Sequence, residues 1–301
     1  MNLLITGAWQ EAKENIEKIR NMGHEVVFLQ QEKEPLPCDY TWVEGVICNA
    51  LFLYHPYEKF ENLKYVQLNS AGLDRLPAAK MEAEGVEIRN ARGVYSVPMA
   101  EYALGGVLEM YKRFPQFRES QSRHTWEKRR DLLELSGKTV FILGCGSIGS
   151  ECAKRFSAFD CSVIGVATAH RSQPFFEEVV ALEDLDAVLP RADVVVVTLP
   201  LTETTRHLLD ESRFARMKPG ALLVNMARGA IVDTDALVAA LRSGRLSGAV
   251  LDVFEEEPLG TDSELWDLEN VLITPHNSFV SDRVQQRMTQ VIFENLDNWR
   301  I

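Results

Sequence analysis

A glycine-rich segment at residues 144–149 reads GCGSIG and has the spacing G-x-G-x-x-G. It follows the apolar run Thr139–Leu143 directly, and that run is typical of a buried strand. The segment also opens a stretch with apolar residues at the spacing of one helix face, namely Ile148, Cys152, Phe156 and Phe159. A glycine motif between a strand and a helix predicts a dinucleotide-binding site.

Each position of this loop has a physical task in such a site. Gly144 would allow the tight turn, Gly146 would let the backbone approach a pyrophosphate, and Gly149 would permit close contact between helix and strand. The free N–H groups at the helix start, around Ser147 and Ile148, would face the anionic phosphates.

The residues after the next predicted strand, Ser162–Ala167, bear on the choice of dinucleotide. NAD sites usually place an acid at the end of this strand to bind the ribose hydroxyls. Here Thr168, His170 and Arg171 follow instead, and these side chains could bind a 2′-phosphate by charge-assisted hydrogen bonds. We therefore predict that NADP(H) is favoured over NAD(H), although His170 and Arg171 could also be solvated loop residues.

Short apolar runs alternate with amphipathic stretches along the whole chain, which is typical of a parallel sheet with crossover helices. The first third predicts strands at Leu3–Thr6, Glu25–Leu29, Val46–Cys48, Tyr65–Leu68 and Val86–Arg89. The rest predicts six more, at Thr139–Leu143, Ser162–Ala167, Asp193–Thr198, Ala221–Asn225, Gly248–Leu251 and Val271–Thr274. The expected fold class is α/β, with two Rossmann-like parallel-sheet domains separated by a cleft.

Composition narrows the function classes. The chain has 301 residues, 46% of them hydrophobic and 25% charged, as in globular proteins. Its net charge of −12 argues against a nucleic-acid partner, and no apolar run approaches the roughly 20 residues of a membrane span. The start of the chain does not resemble a signal peptide, and the five cysteines lack a C-x-x-C pair. We expect a cytoplasmic protein without a metal site.

Five segments of the second half stand out in order: "SGKTVFILGCGSIG", "VVVVTLPLTETTRHLL", "MKPGALLVNMARGAIVDTDALVAAL", "LDVFEEEPL" and "LENVLITPH". Together they resemble the D-isomer-specific 2-hydroxyacid dehydrogenases, in particular their glyoxylate and hydroxypyruvate reductases. The first half agrees more loosely, through "LKYVQLNSAGLDRL" and "NARGVYSVPMAEYAL". The resemblance implies NAD(P)H-dependent, reversible reduction of a small 2-keto acid to a D-2-hydroxy acid.

By the same resemblance, the catalytic residues are Arg228, Glu257 and His276. A planar guanidinium suits the adjoining carboxylate and carbonyl of a 2-keto acid, so Arg228 would bind and polarise the substrate. His276 would exchange the proton with the substrate oxygen, because imidazole titrates near neutral pH. Glu257 would orient that imidazole and favour its charged form. Taken singly, each could instead be an ordinary surface or strand-end residue.

The resemblance assigns further positions. It implies that Asp252 binds the nicotinamide carboxamide and that the backbone of Met226–Arg228 lies beside that ring. The remaining cofactor-binding positions it implies are Leu199, Pro200, Thr205, Met226, Ala227 and Asn277. It implies that the Ala71 and Gly72 amides bind the substrate carboxylate. The loop near the substrate side chain would contain Asn49, Leu51 and Phe52.

We expect a substrate domain at residues 1–92 plus 282–301 and a dinucleotide-binding domain at 93–281. The small residues of the stretch Pro98–Glu109 allow close helix packing where the family forms its dimer, so we expect a homodimer. Two alternatives stay open. The chain could be a dinucleotide-sensing binding protein without catalysis, or an enzyme of the phosphoglycerate dehydrogenase type.

Overall fold

Residues 1–299 are described by a computed structural model, and they divide into two units. Unit 1 contains Met1–Tyr95 and the C-terminal residues from Ser281 onward, and unit 2 contains Ser96–Val280. The last two residues of the predicted segment 282–301 lie outside the described part of the chain.

The strands are β1 (Asn2–Thr6), β2 (Glu25–Leu29), β3 (Gly45–Cys48), β4 (Tyr65–Leu68), β5 (Glu87–Arg89), β6 (Thr139–Leu143), β7 (Ser162–Ala167), β8 (Glu178–Ala181), β9 (Val194–Val197), β10 (Ala221–Asn225), β11 (Leu246–Leu251) and β12 (Val271–Ile273). The α-helices are α1 (Ala12–Asn21), α2 (Ala78–Ala83), α3 (Ser96–Tyr111), α4 (Phe114–Ser122), α5 (Ser147–Ser157), α6 (Leu185–Val188), α7 (Glu211–Arg216), α8 (Thr234–Arg242) and α9 (Val284–Asn298). None of the helices in residues 1–299 combines the length and apolarity needed to cross a bilayer.

Unit 1 is built on a five-stranded parallel sheet in the order β2-β1-β3-β4-β5. Every residue of β3 and β4 is buried, as expected of parallel strands covered on both faces. One covering element is α9, which buries Val284, Met288, Ile292 and Leu296 in the same core as β1. Their spacing of four residues places them on one helix face. The strand order reverses between β1 and β3, where ligands bind in open α/β sheets.

Unit 2 is built on a seven-stranded parallel sheet in the order β12-β11-β10-β9-β6-β7-β8. Its centre is the dinucleotide-binding arrangement, with the reversal of strand order between β6 and β9. Both strands at the reversal are almost wholly apolar, and Phe141 and Val195 are fully buried in one core. The glycine-rich loop begins at this reversal, directly after β6. Two parallel-sheet units therefore confirm the predicted α/β fold class.

Two local predictions were wrong. The sheet of unit 2 has seven strands and not six, because β8 pairs with β7 at its edge. This strand is only four residues long, and its short apolar run at residues 179–182 is flanked by acidic residues, so the run is too short to stand out as a strand. Phe159 was expected on the buried face of α5, but the helix ends at Ser157 and Phe159 is exposed.

The small residues of α3 pack within their own unit. Ala100 and Ala103 are fully buried. A Cβ added at Gly106 would lie 2.7 Å from Val250 Cγ1, so this glycine allows α3 to approach β11 closely. Gly105 is exposed, and a Cβ there would meet no atom within 4 Å. The buried small residues thus account for packing inside unit 2.

Candidate active site

Two glycines of the 144–149 loop are required by the fold of unit 2 itself. Gly144 has φ +109°, a left-handed conformation that favours glycine, and a Cβ there would lie 2.9 Å from the Leu199 nitrogen. A Cβ on Gly149 would lie 1.9 Å from the Gly144 carbonyl oxygen. Gly146 differs, because a Cβ there would meet no atom within 4 Å. The open space above Gly146, at the start of α5, fits the phosphates of a dinucleotide.

The end of β9 closes the other side of this loop. Thr198 donates its hydroxyl to the Gly144 carbonyl oxygen at 2.7 Å, and this bond ties the two strand ends together. Leu199 and Pro200 follow it and are accessible. Thr205 is buried, and its hydroxyl donates to the Pro200 carbonyl and accepts from the Thr202 N–H. Its hydroxyl therefore holds the turn instead of pointing to an open surface.

The loop after β7 carries exposed polar side chains, as expected for Thr168, His170 and Arg171. Arg171 Nη2 donates to the carbonyl oxygen of Cys145 at 2.9 Å, which places its guanidinium against the glycine-rich loop. His170 Nε2 lies 2.8 Å from Asp184 Oδ2. Sequence reasoning missed Asp184 because it follows β8, the strand that was not predicted.

Gln173 is a second missed residue of this region. Its side-chain amide donates to the Cys145 carbonyl at 3.1 Å and to the Ser150 hydroxyl at 2.7 Å. A cavity of about 460 Å³ adjoins the loop and is lined by residues 170–173 and 176–179. Cavities of this size can hold part of a small ligand.

The segment that carries Arg228 is shaped by a buried amide. Asn225, at the end of β10, accepts from the Ala227 N–H at 3.2 Å and donates to the Arg228 carbonyl at 3.1 Å. The Met226 and Ala227 side chains are buried, whereas Arg228 is partly exposed. Sequence reasoning missed Asn225, although an asparagine that ends a strand is a recognisable turn former.

Gly229 joins the Arg228 segment to the loop after β11. A Cβ on Gly229 would lie 1.8 Å from the Phe254 carbonyl carbon, so the two backbones are in direct contact. Phe254 is followed by the acidic run Glu255-Glu256-Glu257. Arg228 and Glu257 are therefore held on two loops that cannot separate without breaking this contact.

The first and last carboxylates of the acidic run have different partners. Glu255 accepts from the Thr234 N–H and hydroxyl and pairs with His207 Nε2 at 2.8 Å. Burial raises the pKa of Glu255, but the hydrogen bonds from Thr234 and His207 outweigh it and hold the net pKa below the usual value. Glu257 pairs instead with His276. The structure thus distinguishes Glu257 from an ordinary member of an acidic run.

The Glu257–His276 pair has the geometry of an oriented imidazole. Glu257 Oε2 lies 2.8 Å from His276 Nδ1, and Glu257 Oε1 accepts from the Phe254 N–H at 3.0 Å. A carboxylate can only accept, so Nδ1 carries the proton and donates it. The backbone of His276 has φ +50° and is held by a bond from its N–H to the Asp252 carbonyl at 2.8 Å. Nε2 is then the nitrogen left for exchange with a bound molecule.

Asp252 builds the loop on which His276 lies. It is fully buried, and its carboxylate accepts from the Thr274 hydroxyl, the Asn277 N–H and the Ser278 N–H. Its visible role in this structure is to position the 274–278 segment. The carboxamide contact expected of Asp252 remains a prediction.

The 49–54 segment of unit 1 differs from expectation at one position. Leu51 is fully buried in the core of the unit, and its contact with substrate stays a prediction that its burial does not support. A 3-10 turn over Leu51–Leu53 directs Leu51 inward and leaves Leu53 and Tyr54 exposed. Asn49 is partly exposed, and Phe52 packs against Phe60 with ring centroids 5.4 Å apart.

Ala71 and Gly72 follow β4, at the carboxyl edge of the unit 1 sheet. Within residues 1–299, neither of their N–H groups donates a hydrogen bond to another group of the chain. Their carbonyls accept from Asn90 Nδ2 and Ser70 Oγ respectively, which fixes the loop. The neighbouring Asn69 side chain is buried and has no hydrogen-bond partner in the same range. Buried amides without partners are rare, so this edge fits a polar ligand.

A metal centre is not visible in the described region, since residues 1–299 contain no group of three or more His, Cys, Asp or Glu side chains placed to hold an ion.

Comparisons with known proteins found a matching family model, similar sequences and similar folds. Residues 104–278 match the family model "D-isomer specific 2-hydroxyacid dehydrogenase, NAD binding domain". The chain is 35% identical to a glyoxylate reductase of Thermofilum pendens over 243 residues, which cover 78% of this chain and 71% of the relative. It is 34% identical to a D-3-phosphoglycerate dehydrogenase of Methanocaldococcus jannaschii over 79% of this chain, but only 46% of that relative is matched.

A solved structure is similar over nearly the whole chain. It is a D-isomer specific 2-hydroxyacid dehydrogenase from Xanthobacter autotrophicus Py2 in complex with NADPH and MES. The identity is 30%, the TM-score is 0.80, and the match covers 98% of this chain and 93% of the other.

Proposed function

We propose that this chain, which belongs to the D-isomer-specific 2-hydroxyacid dehydrogenases and is therefore an oxidoreductase, reduces a small 2-keto acid to the D-2-hydroxy acid with NAD(P)H. The observation that carries the proposal is the Glu257–His276 pair, held at 2.8 Å on loops that contact the Arg228 segment. All three residues follow carboxyl ends of strands in the sheet that carries the glycine-rich loop. Such strand ends are the usual position of ligands in this architecture.

The roles of the three residues follow from their chemistry. Arg228 binds the keto acid through its guanidinium and draws electron density from the carbonyl that is reduced. His276 gives the proton on Nε2 to the alkoxide oxygen, or removes it in the oxidative direction. Glu257 accepts the hydrogen bond from Nδ1 at 2.8 Å and so keeps Nε2 in place. A nicotinamide held by the glycine-rich loop of unit 2 would supply or accept the hydride. For the Ala71 and Gly72 N–H groups of unit 1, the proposed role is to donate to a carboxylate.

We also propose a preference for NADP(H) over NAD(H). It is supported by the lack of an acid at the end of β7 and by the exposed Arg171 beside the glycine-rich loop. The NADPH bound to the Xanthobacter autotrophicus enzyme is consistent with it. The Asp184 carboxylate next to His170 acts in the opposite direction, because it repels a phosphate.

Apolar side chains are exposed in the segment that follows α3, and they support a homodimer. Phe114, Leu132 and Leu133 are exposed, and Trp126 is 94% exposed. Apolar residues exposed in one region of a monomer are typical of a protein–protein interface. We therefore keep the homodimer as a proposal, but base it on this region and not on the small residues of α3. The five cysteines are free thiols, which supports the proposed cytoplasmic location.

The test is a panel of 2-keto acids with NADPH and with NADH, followed by nicotinamide absorbance. Consumption of NADPH with glyoxylate, hydroxypyruvate or pyruvate is the expected result. Tight NADPH binding without turnover of any keto acid would identify a dinucleotide sensor and overturn the proposal. Turnover confined to phosphorylated substrates would favour the phosphoglycerate dehydrogenase type.

A further inference from the structure

The side-chain amide of Gln173 lies between the glycine-rich loop and Arg171, and both of its ends are engaged. Its Nε2 donates to the Cys145 carbonyl at 3.1 Å and to the Ser150 hydroxyl at 2.7 Å. Its Oε1 accepts from Arg171 Nε at 3.0 Å. A carbonyl can only accept and a guanidinium can only donate, so this orientation of the amide is the one that satisfies both neighbours. The Gln173 side chain therefore joins Arg171 to the loop that follows β6.

The segment after β7 folds back onto the glycine-rich loop by packing. Gly165 in β7 makes room for it, because a Cβ there would lie 2.4 Å from Cys145 Sγ and 2.8 Å from Phe176 Cδ1. Phe176 packs against the small apolar cluster that contains Cys145. The Phe176 N–H also donates to the Gln173 carbonyl at 3.3 Å. These contacts hold the backbone of Gln173 where its side chain reaches the Cys145 carbonyl.

The guanidinium of Arg171 is planar and carries five N–H groups in fixed directions. Nε donates to Gln173, and Nη2 donates to the Cys145 carbonyl at 2.9 Å, so the chain engages the edge that these two nitrogens share. Within residues 1–299, no other N–H of this exposed guanidinium donates to an oxygen or nitrogen of the chain. The Nη1 side is therefore left for an anion, and guanidinium groups bind phosphates by charge-assisted hydrogen bonds.

We propose that Gln173 is a positioning residue for cofactor selection: it holds the Nε edge of Arg171 against the glycine-rich loop, which leaves the Nη1 side to bind the 2′-phosphate of NADP(H). This inference rests on the proposed preference for NADP(H). A free arginine side chain loses rotamer freedom when it binds a ligand, and Gln173 removes part of that cost before the ligand binds. His170, in the same loop, is already paired with Asp184 at 2.8 Å. Arg171 is therefore the cation on which selection depends.

The first test is a fluorescence titration of the whole protein with NADPH and with NADH, which differ only in the 2′-phosphate. The Kd for NADH divided by the Kd for NADPH measures the effect of that phosphate without turnover. This ratio should exceed one in the wild type. Gln173→Met keeps the length of the side chain but lacks the amide, and it should lower the ratio by roughly threefold to tenfold. A merely structural role would weaken both ligands equally, and an unchanged ratio would overturn the inference.

Ser150→Ala is the matched control. It removes one partner of the Gln173 amide on the glycine-rich loop and leaves the bond between Gln173 Oε1 and Arg171 Nε in place. The ratio of the two Kd values should equal that of the wild type, even if both cofactors bind more weakly. A ratio that falls as far as in Gln173→Met would assign the effect to the shape of the loop and overturn the inference.

The second test asks whether Gln173 acts through Arg171. In an Arg171→Ala background, Gln173→Met should leave the ratio unchanged, because the group that it positions is gone. A further decrease in that background would overturn the inference. A wild type that binds both cofactors equally would overturn the inference and the proposed cofactor preference together. A wild type that favours NADPH, with the same ratio in Gln173→Met, would overturn the inference alone. Neither titration depends on reduction of a 2-keto acid, so a failure of the proposed reaction is distinguishable from both.

Discussion

His276 differs from the other histidines of its unit by the combination of a carboxylate partner and a position on the loop that Asp252 builds. We expect His276→Ala to lower kcat by roughly 10²- to 10⁴-fold, the usual loss for a proton-transfer group. NADPH binding should survive, because the glycine-rich loop is untouched. Steady-state kinetics and a fluorescence titration with NADPH check both expectations.

The matched control is His207→Ala, since His207 also lies 2.8 Å from a glutamate, Glu255, and is similarly exposed. This variant should keep most of its turnover. A loss as large as that of His276→Ala would show that the decrease reflects the stability of the loops and not proton transfer.

We expect cofactor choice to depend on single residues as well. Ala167→Asp combined with Arg171→Ala should move the preference from NADP(H) toward NAD(H), because it adds repulsion and removes attraction together. One charge-assisted hydrogen bond contributes about 1.5–3 kcal/mol, so a change of roughly one to two orders of magnitude is expected. The measurement is kcat/KM for NADPH and NADH.

Asp184→Asn gives an independent check of the same loop. Removing the carboxylate beside His170 should raise the preference for NADPH, while a surface variant such as Arg216→Ala should leave it unchanged. A wild type that already favours NADH would show that the proposed cofactor preference is wrong, and the dehydrogenase assignment would stand.

At the level of elements, α3 offers two adjacent glycines in different surroundings. Gly106→Ala should destabilise the protein by about 1–3 kcal/mol, because its Cβ would press on the Val250 side chain of β11. Gly105→Ala has open space and should stabilise the helix by about 0.5–1 kcal/mol. Thermal and urea unfolding of both variants measures the difference. Equal effects would mean that α3 does not rest on β11 through Gly106.

The Gly105→Ala variant, together with Trp126→Ser, also tests which surface forms the proposed dimer. If α3 met a second chain through Gly105, Gly105→Ala would weaken the dimer, and light scattering after size exclusion would detect monomers. We expect no such change, and we expect Trp126→Ser to weaken the dimer, because Trp126 is almost fully exposed.

At the scale of the whole molecule, Asp193 links the beginnings of three strands of unit 2, β6, β9 and β10, by hydrogen bonds. Its carboxylate accepts from the Thr139 N–H at 3.0 Å and pairs with Lys218 at 2.7 Å, and its carbonyl accepts from the Leu222 N–H. Burial raises the pKa of Asp193, but the hydrogen bonds from Lys218 and Thr139 outweigh it, and the net pKa lies below the usual value of 3.8.

A lowered folded-state pKa means that the unfolded chain binds the proton at higher pH, so stability rises with pH through this window. The contribution of Asp193 should be complete above about pH 4 and decrease as the pH falls through the folded-state pKa. Asp193→Asn should therefore differ most from the wild type near neutral pH and least in acid. Urea unfolding between neutral and acidic pH measures this, and the exposed Glu183→Gln should give a curve parallel to that of the wild type.

Much of the fold and of the candidate site could be predicted from the amino-acid sequence alone. The buried strands were recognisable because parallel strands are apolar on both faces, and the GCGSIG loop was recognisable because turn, phosphate approach and helix packing each require glycine. Arg228, Glu257 and His276 were assigned from segments that resemble one family. These features depend on residues that are close together in the chain.

Only the tertiary structure decided which distant groups meet. It paired Glu257 with His276 and Glu255 with His207, although the two glutamates belong to one acidic run. It buried Leu51 in a turn whose neighbours are exposed. It also brought the Glu32 carboxylate onto the Asn49 and Ala50 N–H groups across the reversal of strand order. The physical reason is that side-chain partners and burial depend on strand order and loop path, and neither is encoded in the spacing of nearby residues.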